Sequence, residues 1–156
     1  MNNKKQHLIL VGYQGIGKST IAGQLYTIDL ESSNFFVDGK RDENWYKAYA
    51  NIARHLSEQG YIVFTSSHKV LRDYMKSQGI EFVTVSPALE LKEEWIAKLE
   101  ERYNADKSDK NYKALMNAKQ CYDENVADLQ SEKEVYIINN MSYKMYEVIR
   151  EIGERF

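Results

Sequence analysis

Residues 12–19 contain residue types that bind a phosphate chain, in the order G-x-x-x-x-G-K-S. Their glycines would let the backbone turn so that successive N–H groups point at phosphate oxygens. The Lys18 ammonium could reach the β- and γ-phosphates of a nucleotide, and the Ser19 hydroxyl could bind Mg²⁺. The apolar run at residues 8–11 directly precedes this segment. The sequence therefore predicts a strand, a glycine loop and a helix start that together bind a nucleoside triphosphate.

The expected cofactors are ATP and Mg²⁺, and the ATP contacts lie in this loop. Backbone N–H groups and the positive end of the following helix would hold the phosphates. The residues predicted to bind ATP are Gly12, Gly15, Ile16, Gly17, Lys18, Ser19 and Thr20.

Composition limits the class of protein further. The 156 residues suit one domain, and 43% hydrophobic with 28% charged residues is ordinary for a globular chain. A net charge of −2 argues against a dedicated nucleic-acid partner. No apolar run approaches the ~20 residues that would cross a membrane. The single Cys121 cannot form an internal disulfide, and the N-terminus does not resemble a leader, so we expect a cytoplasmic location. We also expect a monomer or a homodimer.

The hydrophobic pattern predicts an α/β fold, namely a doubly wound five-stranded parallel sheet flanked by helices. The predicted strands are residues 8–11, 26–30, 61–66, 80–85 and 135–138. The predicted helices are residues 19–25, 44–59, 68–78, 89–103, 112–129 (one helix or two) and 143–152. Polar stretches at 32–43 and 104–111 interrupt this pattern. Because ligands of open α/β sheets bind outside the carboxyl ends of the strands, substrate contacts are expected in such loops.

Two large classes of phosphate-loop protein fit poorly. GTPases need a guanine-reading Asn-Lys-x-Asp after a strand, and residues 104–107 only look similar, within a polar loop. AAA-type ATPases and helicases usually end an apolar strand with Asp-Glu, which neither residues 66–68 nor residues 139–140 supply.

On the motif at 12–19 and the layout of five strands, the chain resembles the small P-loop kinases. These include the adenylate-kinase-like nucleoside monophosphate kinases and their shikimate- and gluconate-kinase relatives. Segments 29–35 and 64–69 are also similar to small kinase-like proteins of bacteriophages and Firmicutes. The resemblance implies one kinase-like domain at 1–156, an acceptor-binding region at 32–60 and a short lid at 100–112.

Carried over onto this chain, the resemblance assigns three catalytic residues. Lys18 would stabilise the transferring phosphoryl group, and Arg102 would be a lid arginine. Asp29, with Glu31, is similar to the acidic pair of shikimate kinases, so Ser19 and Asp29 would hold the metal. Family members often carry an Asp where this chain has Ser66-Ser67-His68. Either Asp29 takes over that acidic role, or the kinase assignment is wrong.

The phosphoryl acceptor would be held by cations that follow the second and third predicted strands. Lys40, Arg41 and Arg72 could bind an acceptor phosphate, and Trp45 could stack on a base. The resulting expectation is an ATP- and Mg²⁺-dependent phosphotransferase acting on a nucleoside or deoxynucleoside monophosphate. The alternatives are a kinase of a non-nucleotide metabolite and a nucleotide-binding regulator with little turnover.

Overall fold

In residues 8–38 and 40–156, which the computed structural model describes, five strands form one parallel sheet. The strands are β1 (Leu8–Gly12), β2 (Thr27–Asp29), β3 (Ile62–Thr65), β4 (Val83–Pro87) and β5 (Val135–Ile138). Their order across the sheet is β2-β3-β1-β4-β5, and every neighbouring pair is parallel. The expected α/β fold with a five-stranded parallel sheet is confirmed at this level. Residues 1–7 and Gly39, which belong to the predicted domain and acceptor region, lie outside the described residues.

Helices connect and flank these strands. They are α1 (Lys18–Ile21), α2 (Trp45–Glu58), α3 (Lys69–Ser77), α4 (Lys92–Ala105), α5 (Asp109–Gln130) and α6 (Met145–Arg155). Short 3₁₀ turns cover Ser32–Phe35 and Leu89–Leu91, and Phe36–Val37 pairs with Lys40–Arg41 in a small antiparallel hairpin that the sequence pattern did not predict. In the described part of the chain, no helix combines the length and hydropathy needed to cross a bilayer.

The core lies on both faces of the central strands. Every residue of β1 and β4 is buried, as expected for parallel strands that are covered on two sides. The chain runs from β1 to one side of the sheet and from β4 to the other, so the topological switch point lies between these two strands. Such a switch point opens a crevice at the carboxyl ends of the strands.

The helix after the glycine loop is much shorter than the predicted 19–25. It ends at Ile21, and Leu25 and Tyr26 adopt positive φ angles of 53° and 59°. The Thr27 hydroxyl lies 2.6 Å from both the Ile21 and Gln24 carbonyl oxygens. This hydroxyl satisfies carbonyls that a longer helix would have bonded, so the tight turn replaces the helix and β2 starts at Thr27.

The polar stretch predicted as a loop at 104–111 is mostly helical. Helix α4 continues to Ala105, and α5 begins at Asp109 because the Ser108 side chain accepts a hydrogen bond from the Asn111 N–H. The predicted lid segment, 100–112, therefore comprises a helix end, the link 106–108 and a helix start. Residues 112–129, expected to form one helix or two, lie in α5, in which two helical segments meet at a kink where Cys121 has non-helical backbone angles.

Candidate functional site

The glycine loop leaves the sheet at the switch point. Gly12 pairs with Val85 of β4, and the Tyr13 N–H donates to the Val85 carbonyl at 3.0 Å. A Cβ on Gly12 would lie 2.3 Å from Ile16 Cδ1. Gly15 has a φ of +84°, and its Cβ would lie 2.9 Å from Leu99 Cδ2. A side chain at either position would force Ile16 or Leu99 to shift, and at Gly15 it would also strain the backbone, so the loop is tightly packed.

Two aromatic side chains fix the curve of this loop. The Trp95 indole N–H of α4 donates to the Gln14 carbonyl at 2.9 Å, and the Tyr143 hydroxyl donates to the Ile16 carbonyl at 2.7 Å. The two rings are stacked, with centroids 6.0 Å apart and planes 12° apart. Residues distant in sequence thus hold the loop carbonyls from the side of α4 and α6.

Lys18 lies at the start of α1, with its ammonium 3.4 Å from the Gly12 carbonyl oxygen. Burial lowers the pKa of Lys18, and the negative charges of Asp29 and Glu31 oppose that effect. The ammonium therefore lies in a poorly solvated place where an incoming anion would be favourable.

Asp29 is the last residue of β2, Glu31 lies two residues beyond it, and both face the same cleft as Lys18. Burial raises the pKa of Asp29, and the neighbouring Glu31 adds to that effect. Burial also tends to raise the pKa of Glu31, but the hydrogen bond and charge of Lys110, together with the charge of Lys18 and a hydrogen bond with Asp29, outweigh it and the net pKa is lowered. The Lys110 ammonium lies 2.6 Å from Glu31 Oε1. Within this acidic pair, Glu31 therefore stays ionised more readily than Asp29, and Asp29 takes up a proton more readily.

A cleft of about 1240 Å³ surrounds these groups. Within the described residues its walls carry eight cations and four carboxylates, although the whole chain has a net charge of −2. The carboxylates belong to Asp29, Glu31, Asp109 and Asp128. The cations belong to Lys18, Arg41, Lys69, Arg72, Lys98, Arg102, Lys110 and Lys113. The cleft wall therefore carries an excess of positive charge, which would favour an anionic ligand.

Most of the residues predicted from the sequence meet in this cleft. It is lined by Gly12, Gly15, Gly17, Lys18, Ser19, Thr20, Asp29, Arg41, Arg72 and Arg102. Ile16 is buried at 1% exposure under the loop, so its side chain packs in the core. Lys40 is exposed on the small hairpin and is absent from the described residues of the cleft wall.

Arg72 reaches the cleft wall but is engaged with protein groups. Its guanidinium lies 3.0 Å from Glu132 Oε2, contacts the Asp128 carboxylate, and donates to the Ser67 carbonyl at 3.1 Å. The Arg72 side chain is only 5% exposed. An acceptor phosphate would have to compete with these carboxylates.

The loops after β2 and β3 form the other half of the cleft. The Arg41 guanidinium donates to Ser32 Oγ at 2.9 Å and lies 5.1 Å from the centre of the Trp45 ring. His68 Nδ1 lies 2.9 Å from Ser66 Oγ. Burial, with the charges of Arg41, Lys18 and Arg72, lowers the pKa of His68 to about 4. At neutral pH this imidazole is therefore uncharged.

Trp45, predicted to stack on a base, is 8% exposed. Its ring lies edge-on to Tyr46, Tyr49 and His68, at centroid distances of 6.3, 5.6 and 5.1 Å. It is absent from the described residues that line the cleft. Trp45 therefore packs beneath the cleft wall, against His68 and Arg41.

Sequence reasoning did not propose Lys98 and Lys113 as ligands. The Lys98 ammonium lies 2.7 Å from the Tyr143 hydroxyl and 4.6 Å from the centre of the Trp95 ring. Burial and the charge of Arg102 lower its pKa. Lys98 lies one helical turn before Arg102 on α4, and that i,i+4 spacing is visible in the sequence.

Donors suited to Mg²⁺ are present beside the glycine cradle. The Ser19 hydroxyl and the acidic pair supply hard oxygen atoms on the cleft wall. Among the described residues, no group of three or more His, Cys, Asp or Glu side chains could enclose a metal. The oxygen set fits an ion that keeps water and phosphate ligands, as Mg²⁺ does.

A smaller cavity of about 240 Å³ lies between β5 and the start of α6. Asn139, Asn140 and Tyr143 contribute to its walls. It adjoins the segment that follows the last strand.

A scan against protein-family models and a search of curated proteins both return no match to this chain.

Proposed function

We propose that this protein transfers the γ-phosphoryl group of ATP, with Mg²⁺, to a nucleoside or deoxynucleoside monophosphate. The observation that carries the proposal is the steric cradle at Gly12 and Gly15, which opens beside Lys18 into a cleft rich in cations. A backbone cradle next to a lysine and a serine is the arrangement that binds a phosphate chain.

The size of the cleft supports two ligands. Pockets for a single small molecule usually enclose about 300–1,000 Å³, and this cleft encloses about 1240 Å³. The glycine loop occupies one part of it, and the loops carrying Arg41 and His68 occupy another. A donor and an acceptor could therefore lie together in it.

Phosphoryl transfer needs positioning and charge stabilisation more than covalent chemistry. Lys18, Lys98 and Arg102 would neutralise charge on the phosphate oxygens. Ser19 and Asp29 would hold Mg²⁺, which when bound neutralises the charge shared between the phosphates. Arg41 would orient the acceptor phosphate. With this function we also propose a cytoplasmic location and a monomeric or homodimeric state.

One observation favours a second candidate, a kinase of a small non-nucleotide metabolite. Trp45, the aromatic residue expected to stack on a base, is buried behind Arg41 and His68. An acceptor without a base would not need an open aromatic surface.

The test is ADP release from ATP and Mg²⁺, measured with each ribo- and deoxyribonucleoside monophosphate and with shikimate and gluconate. Lys18→Met should lower turnover by about 100- to 1,000-fold, because it removes a cation aimed at developing charge. Lys119→Met, an exposed change on α5, is the control and should leave turnover unchanged.

Release that depends on one monophosphate would support the proposal and name the acceptor. Release that depends on shikimate or gluconate would replace it with the second candidate. Nucleotide binding without release for any acceptor would contradict both and favour a binding protein with little turnover.

A further inference from the structure

Tyr49 joins two strand ends at the edge of the sheet where the cleft lies. It belongs to α2, and its side chain is completely buried. Its hydroxyl donates to the Leu30 carbonyl and accepts a hydrogen bond from the Ser66 N–H at 3.0 Å. Leu30 follows β2, and Ser66 follows β3. A single phenol oxygen therefore links the segments that leave two adjacent strands.

Both linked segments carry side chains that face the cleft. Leu30 lies between Asp29 and Glu31, so a change in the position of its carbonyl would be transmitted to the backbone of both acidic residues. Ser66 Oγ lies 2.9 Å from His68 Nδ1, so the Ser66 backbone also positions that imidazole. A shift of the Tyr49 hydroxyl would move both sets of groups.

The Tyr49 ring has little freedom to move. It lies between Phe35 and Trp45, at centroid distances of 5.0 and 5.6 Å. Burial raises the pKa of Tyr49, so the phenol keeps the proton that it donates to Leu30. Trp45 also contacts His68, which extends the same packed cluster to the cleft wall.

We propose that Tyr49 is a positioning residue for phosphoryl transfer, which sets the acidic pair and His68 by holding the ends of β2 and β3 at a fixed separation. The inference rests on the proposed function. Tyr49 is absent from the described residues that line the cleft, so it acts through the backbone of Leu30 and Ser66. The glycine-loop carbonyls of Gln14 and Ile16 are instead held by Trp95 and Tyr143.

The test compares Tyr49→Phe with Tyr122→Phe, since each removes only a buried hydroxyl. The Tyr122 hydroxyl donates to the Ala88 carbonyl at 2.8 Å, away from the acidic pair. We expect Tyr49→Phe to speed amide hydrogen exchange at Ser66. The substitution should raise the Mg²⁺ concentration needed for half-maximal turnover by about tenfold, because substitutions of residues that support metal ligands commonly weaken metal binding by that factor. Its kcat should fall while Mg²⁺-free nucleotide affinity stays within about twofold, and Tyr122→Phe should change none of these quantities.

The outcomes separate the two proposals. Equal Ser66 exchange in the two variants would overturn the positioning role, whatever the activity. Faster exchange with an unchanged Mg²⁺ requirement and unchanged kcat would overturn its link to phosphoryl transfer. A wild-type protein that releases no ADP would overturn the proposed function, and Ser66 exchange would still decide whether Tyr49 holds the strand ends.

Discussion

His68 illustrates how the cleft acts on a single residue. Its imidazole contacts the edge of Trp45 and Ser66 Oγ, and its neighbours Arg41, Lys18 and Arg72 are cations. Burial and these positive charges both disfavour a second proton. A neutral imidazole among cations could accept a hydrogen bond from a bound substrate without adding to the positive charge of the cleft.

This environment predicts a pH dependence of stability. The pKa of His68 falls from its ordinary value of 6.5 to about 4 on folding. Between these values the unfolded chain binds the proton more readily, so the free energy of unfolding should fall as pH drops from about 6.5 to 4. The difference in the free energy of unfolding between the wild type and His68→Gln should isolate the contribution of His68, because the other groups titrate in both proteins.

Urea unfolding at a series of pH values measures that difference. His55→Gln, on an exposed position of α2, is the control and should follow the wild type. An NMR titration of His68 with a midpoint near 6.5 would contradict the prediction.

At the scale of elements, the glycine loop and α4 are packed together. Leu99 and Trp95 of α4 occupy the space beside Gly15, and the Trp95 indole bonds the loop carbonyl before it. Helix α4 also carries Lys98 and Arg102. The contact therefore places the cations of α4 at a fixed distance from the glycine loop.

Gly15→Ala tests this contact. The new Cβ would lie 2.9 Å from Leu99 and 3.3 Å from the Trp95 nitrogen, at a φ of +84°. Gly23→Ala has nearly the same φ, +82°, with nothing within 4 Å, so it measures the backbone cost alone. Both variants should lose roughly 1–2 kcal/mol of stability. Only Gly15→Ala should also displace α4 and lower kcat/KM by about 100-fold.

Chemical denaturation and the ADP-release assay distinguish these effects. Similar losses of kcat/KM in the two alanine variants would show that the contact between the loop and α4 is dispensable.

For the whole molecule, a buried ionic network connects distant parts of the chain. Arg72 of α3 binds Asp128 near the end of α5 and Glu132 just beyond it. The Glu132 side chain is 6% exposed and also pairs with Lys76 at 2.7 Å. Loss of Arg72 would leave the nearly buried Glu132 carboxylate dependent on Lys76, whose side chain is half exposed.

Arg72→Met should therefore lower the free energy of unfolding by about 3 kcal/mol. Arg54→Met, on the exposed side of α2, is the control and should change it by less than about 0.5 kcal/mol. Urea unfolding gives the free energy, and the acceptor KM is measured in parallel. Unchanged stability with an acceptor KM raised about tenfold would instead support the substrate-binding role that the sequence suggested for Arg72.

The sequence alone determined the elements that depend on neighbouring residues. The glycine loop and β1 follow from contiguous residues, because their spacing and apolar run are local properties. The strands were located to within about three residues for the same reason. The turn after Ile21 was missed, because it depends on a hydroxyl of Thr27 bonding backwards onto the helix end.

The tertiary structure decided which side chains share the cleft and which are engaged elsewhere. It brought Lys110 to Glu31, 79 residues away in sequence, and bound Arg72 to Glu132, 60 residues away. It also buried Trp45 and placed the Tyr49 hydroxyl between two strand ends. Such contacts join segments whose separation along the chain carries no periodic pattern, so only packing of the helices against the sheet determines them.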